Sequence, residues 1–235
     1  MQAENVSILI GNDAGIAALD VAYSNHSAIG SALGMLCARQ VSENIGSTDI
    51  LNKPEDKKGN QLYPLTEKGL NRFITSGLST GQKISELTNT QLKSLIEKGY
   101  IFAAPYNGSA DMFFSGSATC TTKSSDYAYI EHNRVWNKAA RLIREALLPQ
   151  IKGKVKKDPN TGFIKQTTIS HWERVVTKAS IERMEAENDI SGGSIYINPN
   201  QAPTEETPLK ISVKVVTDDI VHVFDVDLSL TNKLS

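Results

Sequence analysis

The sequence has few of the features that mark membrane-bound or secreted proteins. Its first residues, MQAENV, carry no basic stretch followed by an apolar segment, which a secretory signal needs. Its longest apolar runs, such as residues 100–106, are far shorter than the ~20 residues that cross a bilayer. The net charge of −1 gives no general attraction to nucleic acid or to an anionic membrane. We therefore expect a soluble protein that binds neither a membrane nor nucleic acid.

Metal-binding and redox motifs are missing as well. The chain has 2 cysteines, Cys37 and Cys120, which lie far apart and outside any Cys-x-x-Cys spacing. The 4 histidines, at positions 26, 132, 171 and 222, are scattered, and no pair has the helical i, i+4 spacing of metal ligands. The sequence thus predicts two free thiols in a reducing compartment, no metal ion and no cofactor, although spacing alone leaves a disulfide open.

What the sequence does have is the composition of an ordinary globular protein. Of its 235 residues, 40% are hydrophobic and 22% are charged, which is enough apolar material to bury a core. This length suits one large domain or two small ones.

The first half of the chain alternates short apolar runs with helical patterns. The predicted elements are a strand at 6–11, a long or broken helix at 16–41, helices at 65–74 and 88–99, and strands at 100–106 and 112–122. Thr88 or Thr90 is the expected cap of the helix at 88–99, and Gly99 its end. An Asn-Gly turn at 107–108 predicts that the last two strands form a β-hairpin.

Two amphipathic helices and three strands are predicted in the second half, namely helices at 124–151 and 167–188 and strands at 194–197, 209–216 and 222–230. Ser125 or Asp126 is the expected cap of the first helix. The expected buried residues are Trp136, Ala139, Ala140, Ile143 and Leu147 in the first helix, and Ile169, Trp172, Val176, Ala179 and Met184 in the second. The last two strands alternate apolar and polar residues across a short turn, which predicts an antiparallel pair. The fold class is therefore α+β, with a mixed or antiparallel sheet flanked by helices.

The catalytic patterns in this sequence lack the secondary structure or the glycine residues that they require. Residues 77–81 match the G-x-S-x-G pattern of serine hydrolases, but that pattern needs a strand before Ser79, and the preceding residues favour a helix. The strand that ends at Gly11 precedes a turn with neither phosphate-binding glycine pattern. The sequence predicts that the chain is not an enzyme. An α/β enzyme of unknown substrate, using the Gly11 or Ser79 region, is the first alternative.

A basic segment is the most unusual charge feature. Between Arg134 and Lys157 the chain has eight basic residues and one acidic residue. Arg134, Lys138 and Arg141 recur at i, i+4 and i+7, which places them on one face of the predicted helix. Such a face is either solvated or a docking surface for an acidic partner. A nucleic-acid-binding module that uses residues 134–157 is the second alternative, and a weaker one, because no aromatic residues interleave on that face.

From about residue 99, the order of elements resembles the contractile tail-sheath proteins of bacteriophages. The first part is GYIFAAPYNGSADMFFSGSATCTTKSSDYAYIEHNRVWNKAARLIREALLPQI, in which two strands around a glycine turn lead through Ser-Asp-Tyr into a helix with an Asn-Arg pair. TGFIKQTTISHWERVVTKASIERM resembles the next sheath helix, ISGGSIYINPNQAP a glycine turn and short strand, and LKISVKVVTDDIVHVFDVDLSL the closing strand pair. The resemblance is to the Bacteroidetes-type branch of the family, formerly a domain of unknown function, and covers roughly residues 80–235.

The resemblance implies a structural subunit that polymerises helically with itself around a tail tube, with the tube protein and a baseplate protein as further partners. It implies assembly in the bacterial cytoplasm and residence in a phage tail or phage-like particle. Residues 1–80 resemble the middle of a sheath protein and residues 81–235 its C-terminal α+β domain, either as two domains or as one continuous domain.

Two sets of binding residues follow from the resemblance. Sheath subunits add strands to the sheets of their neighbours through terminal extensions, and main-chain hydrogen bonds supply the affinity. The corresponding inter-subunit residues are Val223, Phe224, Val226, Leu228 and Leu230, in a strand that is equally suited to completing its own sheet. The charged surface toward the tube corresponds to Arg134, Lys138 and Arg141, with Lys152 and Lys154 as second candidates.

Overall fold

Long helices and short strands are the regular elements of the structure, which is a computed structural model. It describes residues 8–9, 12–13, 29–48, 76–78, 82–106, 112–222 and 224–226. The helices in this part of the chain are α1 (Ile29–Ala38), α2 (Asn89–Glu97), α3 (Ile130–Leu147), α4 (Gln166–Ala179) and α5 (Ile181–Ala186). Single 3₁₀ turns lie at Ile84–Glu86 and Leu148–Gln150.

The strands form two-stranded sheets throughout the described ranges. They are β1 (Ile8–Leu9), β2 (Asn12–Asp13), β3 (Ser76–Gly77), β4 (Tyr100–Ile101), β5 (Ala103–Pro105), β6 (Met112–Phe114), β7 (Gly192–Ile197) and β8 (Ile211–Val216). β1 pairs with β4 in parallel, whereas β2 with β3, β5 with β6, and β7 with β8 are antiparallel. The fold is α+β, with small, mostly antiparallel sheets beside helices, which confirms the fold class predicted from the sequence.

Helix α2 begins and ends where the sequence predicts. The Thr88 hydroxyl accepts a hydrogen bond from the Gln91 N–H at 3.3 Å, and the Gln91 side chain accepts one from the Thr88 N–H at 2.8 Å. This reciprocal pair is a capping box, which satisfies two amide groups that the helix itself leaves without partners. Gly99 has a φ of +81°, a conformation that glycine adopts without steric cost, and it lies directly after the helix.

The predicted β-hairpin is present but shorter than expected. Ala103 pairs with Phe114 and Pro105 with Met112, so β5 and β6 form its two strands. Residues 100–106 do not form one strand, because β4 pairs with β1 and β5 with β6. The predicted strand at 112–122 stops at Phe114.

Other predictions for the first half are tested only in part. β1 lies inside the strand predicted at 6–11, and α1 inside the helix predicted at 16–41. The helix predicted at 65–74 and the Asn-Gly turn at 107–108 lie outside the described residues.

Helix α3 begins later than the sequence predicts, and the caps proposed at Ser125 and Asp126 are wrong. Before the helix, residues 117–130 form backbone hydrogen bonds with each other. The Thr119 N–H donates to the Ala128 carbonyl at 2.9 Å, and the Ile130 N–H donates to the Ser117 carbonyl at 2.9 Å. These bonds and the turns between them keep the chain out of the helix up to Tyr129, which has extended backbone angles and is the residue at the cap position.

The buried face of α3 also differs from the prediction. Val135, Ala139 and Leu142 are buried in a core cluster with Ile181, Met184 and Ile190 of α5 and the residues after it. Of the predicted face only Ala139 is buried, and Trp136 is 55% exposed. The predicted stripe is therefore rotated by one residue relative to the buried one, and α3 has apolar residues on two neighbouring faces.

The predicted helix at 167–188 is two helices, α4 and α5, separated at Ser180. The Ser180 hydroxyl donates to the Val176 carbonyl at 2.6 Å, and the φ of Ser180, −115°, departs from the value of about −63° in a regular helix. A serine hydroxyl that bonds to a helix carbonyl competes with the backbone and bends the helix. The buried face itself is confirmed at Ile169, Trp172, Val176 and Met184.

The hairpin of β7 and β8 covers the core with one face. Ile195 pairs with Val213 and Gly193 with Val215, so these residues lie on one side of the sheet, where Ile195, Val213 and Val215 pack against the α3–α5 cluster. Lys210, Ser212 and Lys214 are exposed, as the alternation predicts. A Cβ atom on Gly193 would lie 2.7 Å from the Lys214 carbonyl oxygen and 2.6 Å from Ile181, so a glycine is required there.

Candidate assembly interface

An open groove of about 840 Å³ lies between α3 and β8. Its walls are the stretch that precedes α3, one side of α3 itself, and the second half of β8 with the residue after it. The lining residues are Lys123, Ser124, Ser125, Asp126, Tyr127, Tyr129, His132, Val135, Trp136, Ala139, Ala140, Ile143, Val213, Lys214, Val215, Val216 and Thr217.

The helical wall of the groove is the apolar stripe that the sequence predicted to be buried. Trp136, Ala139, Ala140 and Ile143 all line it, and the Trp136 ring meets the Tyr127 ring edge-on at a centroid distance of 6.3 Å. The sequence correctly predicts that α3 has this apolar face. The prediction that the face is buried in the core is wrong except at Ala139. In the structure this face borders open space, and the neighbouring face of Val135, Ala139 and Leu142 forms the core.

The strand wall of the groove is an edge of β8. Side chains alternate between the two faces of a strand, so consecutive residues line the same groove only where the groove runs along the strand edge. Residues 213–217 are consecutive and all line it. β8 pairs with β7 along its other edge, and within the described residues no strand pairs with the edge at the groove.

Of the strand predicted at 222–230, only residues 222 and 224–226 are described, and these do not pair with β8 as the sequence predicts. Residues 217–222 and 224–226 are not in a strand, and β8 pairs with β7 instead. Phe224 is 82% exposed and Val226 is 75% exposed. We call residues 217–226 the closing segment. Val223, Leu228 and Leu230, the other residues predicted to lie between subunits, fall outside the described residues.

Arg134, the first of the predicted tube-facing cations, contacts the chain's own backbone. Its guanidinium donates to the carbonyl oxygens of Arg39 at 2.9 Å and Gln40 at 3.0 Å, just beyond the end of α1. A cation at the C-terminal end of a helix is favourable because the last carbonyl groups carry partial negative charge.

Lys138 forms an ion-pair cluster with Asp189 and Glu187, and Arg183 adds a 2.9 Å contact to Glu187. The hydrogen bonds from Lys138 and then from Arg183 lower the pKa of the Glu187 carboxyl to about 2. Burial by itself lowers the pKa of the Lys138 ammonium, but the hydrogen bonds and negative charges of Asp189 and Glu187 outweigh burial, so its pKa is raised. Lys138 thus compensates the buried charge of Asp189.

The remaining predicted cations face solvent. Arg141 lies 3.9 Å from Glu145 in an exposed pair, which contributes little to stability. Lys152 and Lys154 are exposed in the segment after α3. The predicted basic face is therefore divided, with Arg134 and Lys138 in contacts within the chain and Arg141, Lys152 and Lys154 at the surface. Binding of a partner by these residues stays a prediction.

A buried polar network, which the sequence did not indicate, joins the two halves of the chain. The Asn44 amide donates to Ser117 Oγ at 2.8 Å and to Glu131 Oε1 at 2.9 Å, and the Ser117 hydroxyl donates to Glu131 Oε2 at 2.5 Å. Glu131 is 2% exposed and Ser117 is 1% exposed, so this serine–carboxylate pair is inaccessible to a substrate. The network fixes the start of α3 against the loop that follows α1.

The two regions of the enzymatic alternative are not tested by the described part of the structure. Ser79 and Gly11 lie outside it.

Within the described ranges, no group of His, Cys, Asp and Glu side chains has the arrangement of a metal site. Cys37 and Cys120 are exposed and unpaired, as predicted. No helix among the described residues is both long and apolar enough to cross a bilayer.

This α+β protein, with an apolar groove along a strand edge, belongs to the DUF2586 family. The family's N-terminal domain matches residues 1–118, and its C-terminal domain matches residues 126–235. The buried network crosses between these two matches, since Asn44 and Ser117 lie in the first and Glu131 in the second. The division after residue 80, expected from the sequence, stays a prediction.

No curated protein matches the chain. Among the solved structures that match is the cryo-EM structure of the anti-feeding prophage (AFP) baseplate, 6-fold symmetrised. One of its chains is similar to this one at 18% identity, with a TM-score of 0.48, over 64% of this chain and 41% of that chain. The present chain thus spans less than half the length of the baseplate chain.

Proposed function

We propose that this chain is a structural subunit of a contractile phage-type tail sheath, which polymerises helically around a tail tube. The proposal rests on the ordered resemblance of residues 80–235 to sheath proteins and on the groove between α3 and β8. Within the assembly, the closing segment of one copy adds a strand to β8 of another copy. Such strand addition combines main-chain hydrogen bonds, which give affinity, with side-chain pockets, which give specificity.

The second apolar face of α3 is the observation that carries this proposal. A surface helix needs one apolar face to pack on its core, and the residues opposite are normally polar. α3 packs on its core through Val135 and Leu142, yet Trp136 and Ile143 on the neighbouring face are apolar as well. Exposed Trp residues beside an unpaired strand edge are typical of surfaces that a partner covers.

The occupant that fits the groove best is the closing segment of a second copy. Phe224 and Val226 are exposed at alternate positions, so both would point to one face of an added strand. Asp225 and Asp227 alternate with them in the sequence, while Lys123 and Lys214 line the groove with Asp126 as its acidic residue. An apolar face with acidic neighbours thus complements an apolar groove with mainly basic neighbours.

Further partners follow from the same assignment. The exposed cations Arg141, Lys152 and Lys154 are proposed to face an acidic surface of the tail tube protein, and a baseplate protein is proposed to contact the end of the polymer. We place the protein in the bacterial cytoplasm during assembly and then in a phage or phage-like particle. The energy of contraction would come from repacking of contacts between copies.

A fluorescence titration tests the groove directly. The chain has 2 tryptophans, and Trp172 is buried whereas Trp136 is half exposed at the groove. A peptide with the sequence of residues 219–232 is expected to shift the tryptophan emission to shorter wavelength, because it removes Trp136 from water. A Trp136→Phe variant should bind the peptide without this shift.

The matched control is the same peptide with aspartate at positions 224 and 226, which should leave the emission unchanged. If the unmodified peptide gives no shift at millimolar concentration, or if both peptides give the same shift, strand addition at this groove is refuted.

A further inference from the structure

The closing segment touches the wall of the groove in its own chain. The His222 ring stacks on the Tyr129 ring at a centroid distance of 5.2 Å and an angle of 28°. Tyr129 and His132 both line the groove, and the His132 ring meets the Tyr129 ring edge-on at a centroid distance of 5.5 Å. The Tyr129 ring therefore has two imidazole neighbours, of which His132 belongs to α3 and His222 to the closing segment.

Residues 217–222 bridge the two walls of this groove. Thr217 lines the groove at the end of the strand wall, while His222 lies on Tyr129 in the wall that precedes α3. None of residues 218–222, all of which the structure describes, lines the groove itself. The bridge therefore lies at the rim of the groove, and its far end rests on an aromatic ring of the wall.

The same contact restrains the apolar part of the closing segment. Phe224 and Val226 follow His222 in the chain, and an extended chain spans at most ~3.6 Å per residue. While His222 lies on Tyr129, the Cα atom of Phe224 is within about 7 Å, and that of Val226 within about 14 Å, of the His222 Cα atom. Both side chains, although exposed, thus stay close to the groove of their own chain.

The wall that would receive a partner is restrained as well. The aromatic residues Tyr127, Tyr129 and Trp136 line the groove, and a strand that enters it gains contacts with their rings. His222 already covers one face of the Tyr129 ring, so an incoming strand gains that contact only by displacing His222.

We propose that the stack of His222 on Tyr129 is an autoinhibitory latch, which holds the closing segment at its own groove and opens when copies associate. The inference rests on the proposed function, because it concerns the same segment and the same groove. The latch is a contact within one chain, so its stability does not depend on protein concentration, whereas association between copies does. The latch therefore raises the concentration at which the chain assembles.

The variant His222→Ala tests the latch in the full chain. Without the imidazole ring the closing segment is released and Tyr129 is open, so the association constant should rise by about two- to tenfold, the equilibrium factor of one aromatic contact. Sedimentation velocity across a concentration series measures this rise. His222→Phe keeps a ring that can stack and should associate no more strongly than the unmodified chain. His171→Ala, which removes an exposed imidazole from α4, should leave association unchanged.

A peptide of residues 223–232, which lacks His222, separates the latch from the proposed function. Followed through tryptophan emission, it should bind the His222→Ala variant about two- to tenfold more tightly than the unmodified chain. Equal or weaker binding by the variant overturns the latch and leaves strand addition standing. If the peptide binds neither protein at millimolar concentration, the groove does not receive this segment, and the latch and the proposed function both fail. Circular dichroism verifies that the variant is folded, as a substitution of an exposed residue should be.

Discussion

The double variant Phe224→Asp, Val226→Asp is expected to abolish association between copies while leaving the stability of the single chain unchanged. Both side chains are largely exposed in the single chain, so replacing them removes almost no buried apolar surface. The free energy of unfolding should change by less than about 0.5 kcal/mol.

Association between copies, in contrast to stability, should be strongly weakened by the two substitutions. Burial of one phenylalanine or valine side chain contributes about 1.5 to 3 kcal/mol, so the loss of both costs about 3 to 6 kcal/mol at each contact between copies. The association constant should therefore fall by a factor of about 10² to 10⁴. Sedimentation velocity across a concentration series measures this change, and urea unfolding measures the stability.

The conservative variant Phe224→Leu, Val226→Ile is the matched control, since it keeps an apolar face on the segment and should still associate. Association of the aspartate variant at the concentrations that suffice for the unmodified chain would contradict strand addition through these residues. Equal losses in the conservative and the aspartate variants would show that the segment acts by some means other than apolar burial.

The substitution Glu131→Ala is expected to give the largest loss of stability. Glu131 accepts hydrogen bonds from the Asn44 amide and the Ser117 hydroxyl, and all three side chains are buried. Removing the carboxylate takes the acceptor from the buried Ser117 hydroxyl, leaves the Asn44 amide with Ser117 as its partner, and opens a small cavity, at a cost of about 3 to 5 kcal/mol. For a chain of this size, the midpoint of thermal unfolding should fall by about 6 to 20 °C.

Glu145→Ala on the same helix is the matched control. Glu145 is exposed and its Arg141 partner is 3.9 Å away, so its loss should cost less than about 0.5 kcal/mol. Glu131→Gln keeps part of the hydrogen bonding and should fall between the two. Similar midpoints for Glu131→Ala and Glu145→Ala would show that the network does not hold the two halves of the chain together.

Local patterns in the sequence predicted those parts of the fold that depend on nearby residues. The capping box of Thr88 and Gln91 spans three residues, and the alternation of Lys210, Ser212 and Lys214 with apolar residues lies within one strand. Both were predictable because their physical cause is local. The later start of α3 was not, since it depends on backbone hydrogen bonds of Ser117 with Ile130 and of Thr119 with Ala128.

Helical periodicity alone does not determine which face of α3 is buried. The stripe of Val135, Ala139 and Leu142 and the stripe of Trp136, Ala140 and Ile143 differ by one residue and fit helical periodicity equally well. Only the position of β8 and α5 decides which of the two is buried. The same holds for Lys138, whose partners Glu187 and Asp189 are about fifty residues away in the sequence, so their pairing was not predictable from its charge.

The sequence predicted one part of the candidate interface, the strand with an apolar face, but not the strand with which it pairs. The alternation of Phe224 and Val226 indicates a strand with one apolar face, but a period of two does not specify which strand it joins. The sequence therefore left closure within the chain and exchange between chains equally open. The edge of β8 that no described strand joins, together with the exposure of both side chains, favours exchange.

Cryo-electron microscopy of the assembled protein tests the central claim most directly. We predict tubular polymers in which an extended segment lies along the free edge of β8, with Phe224 against Trp136, and in which that segment belongs to a neighbouring copy. Polymers in which this edge is bare, or in which the segment belongs to the same chain as the groove, would contradict strand exchange. Discrete, closed particles with no tubular form would contradict the sheath assignment itself.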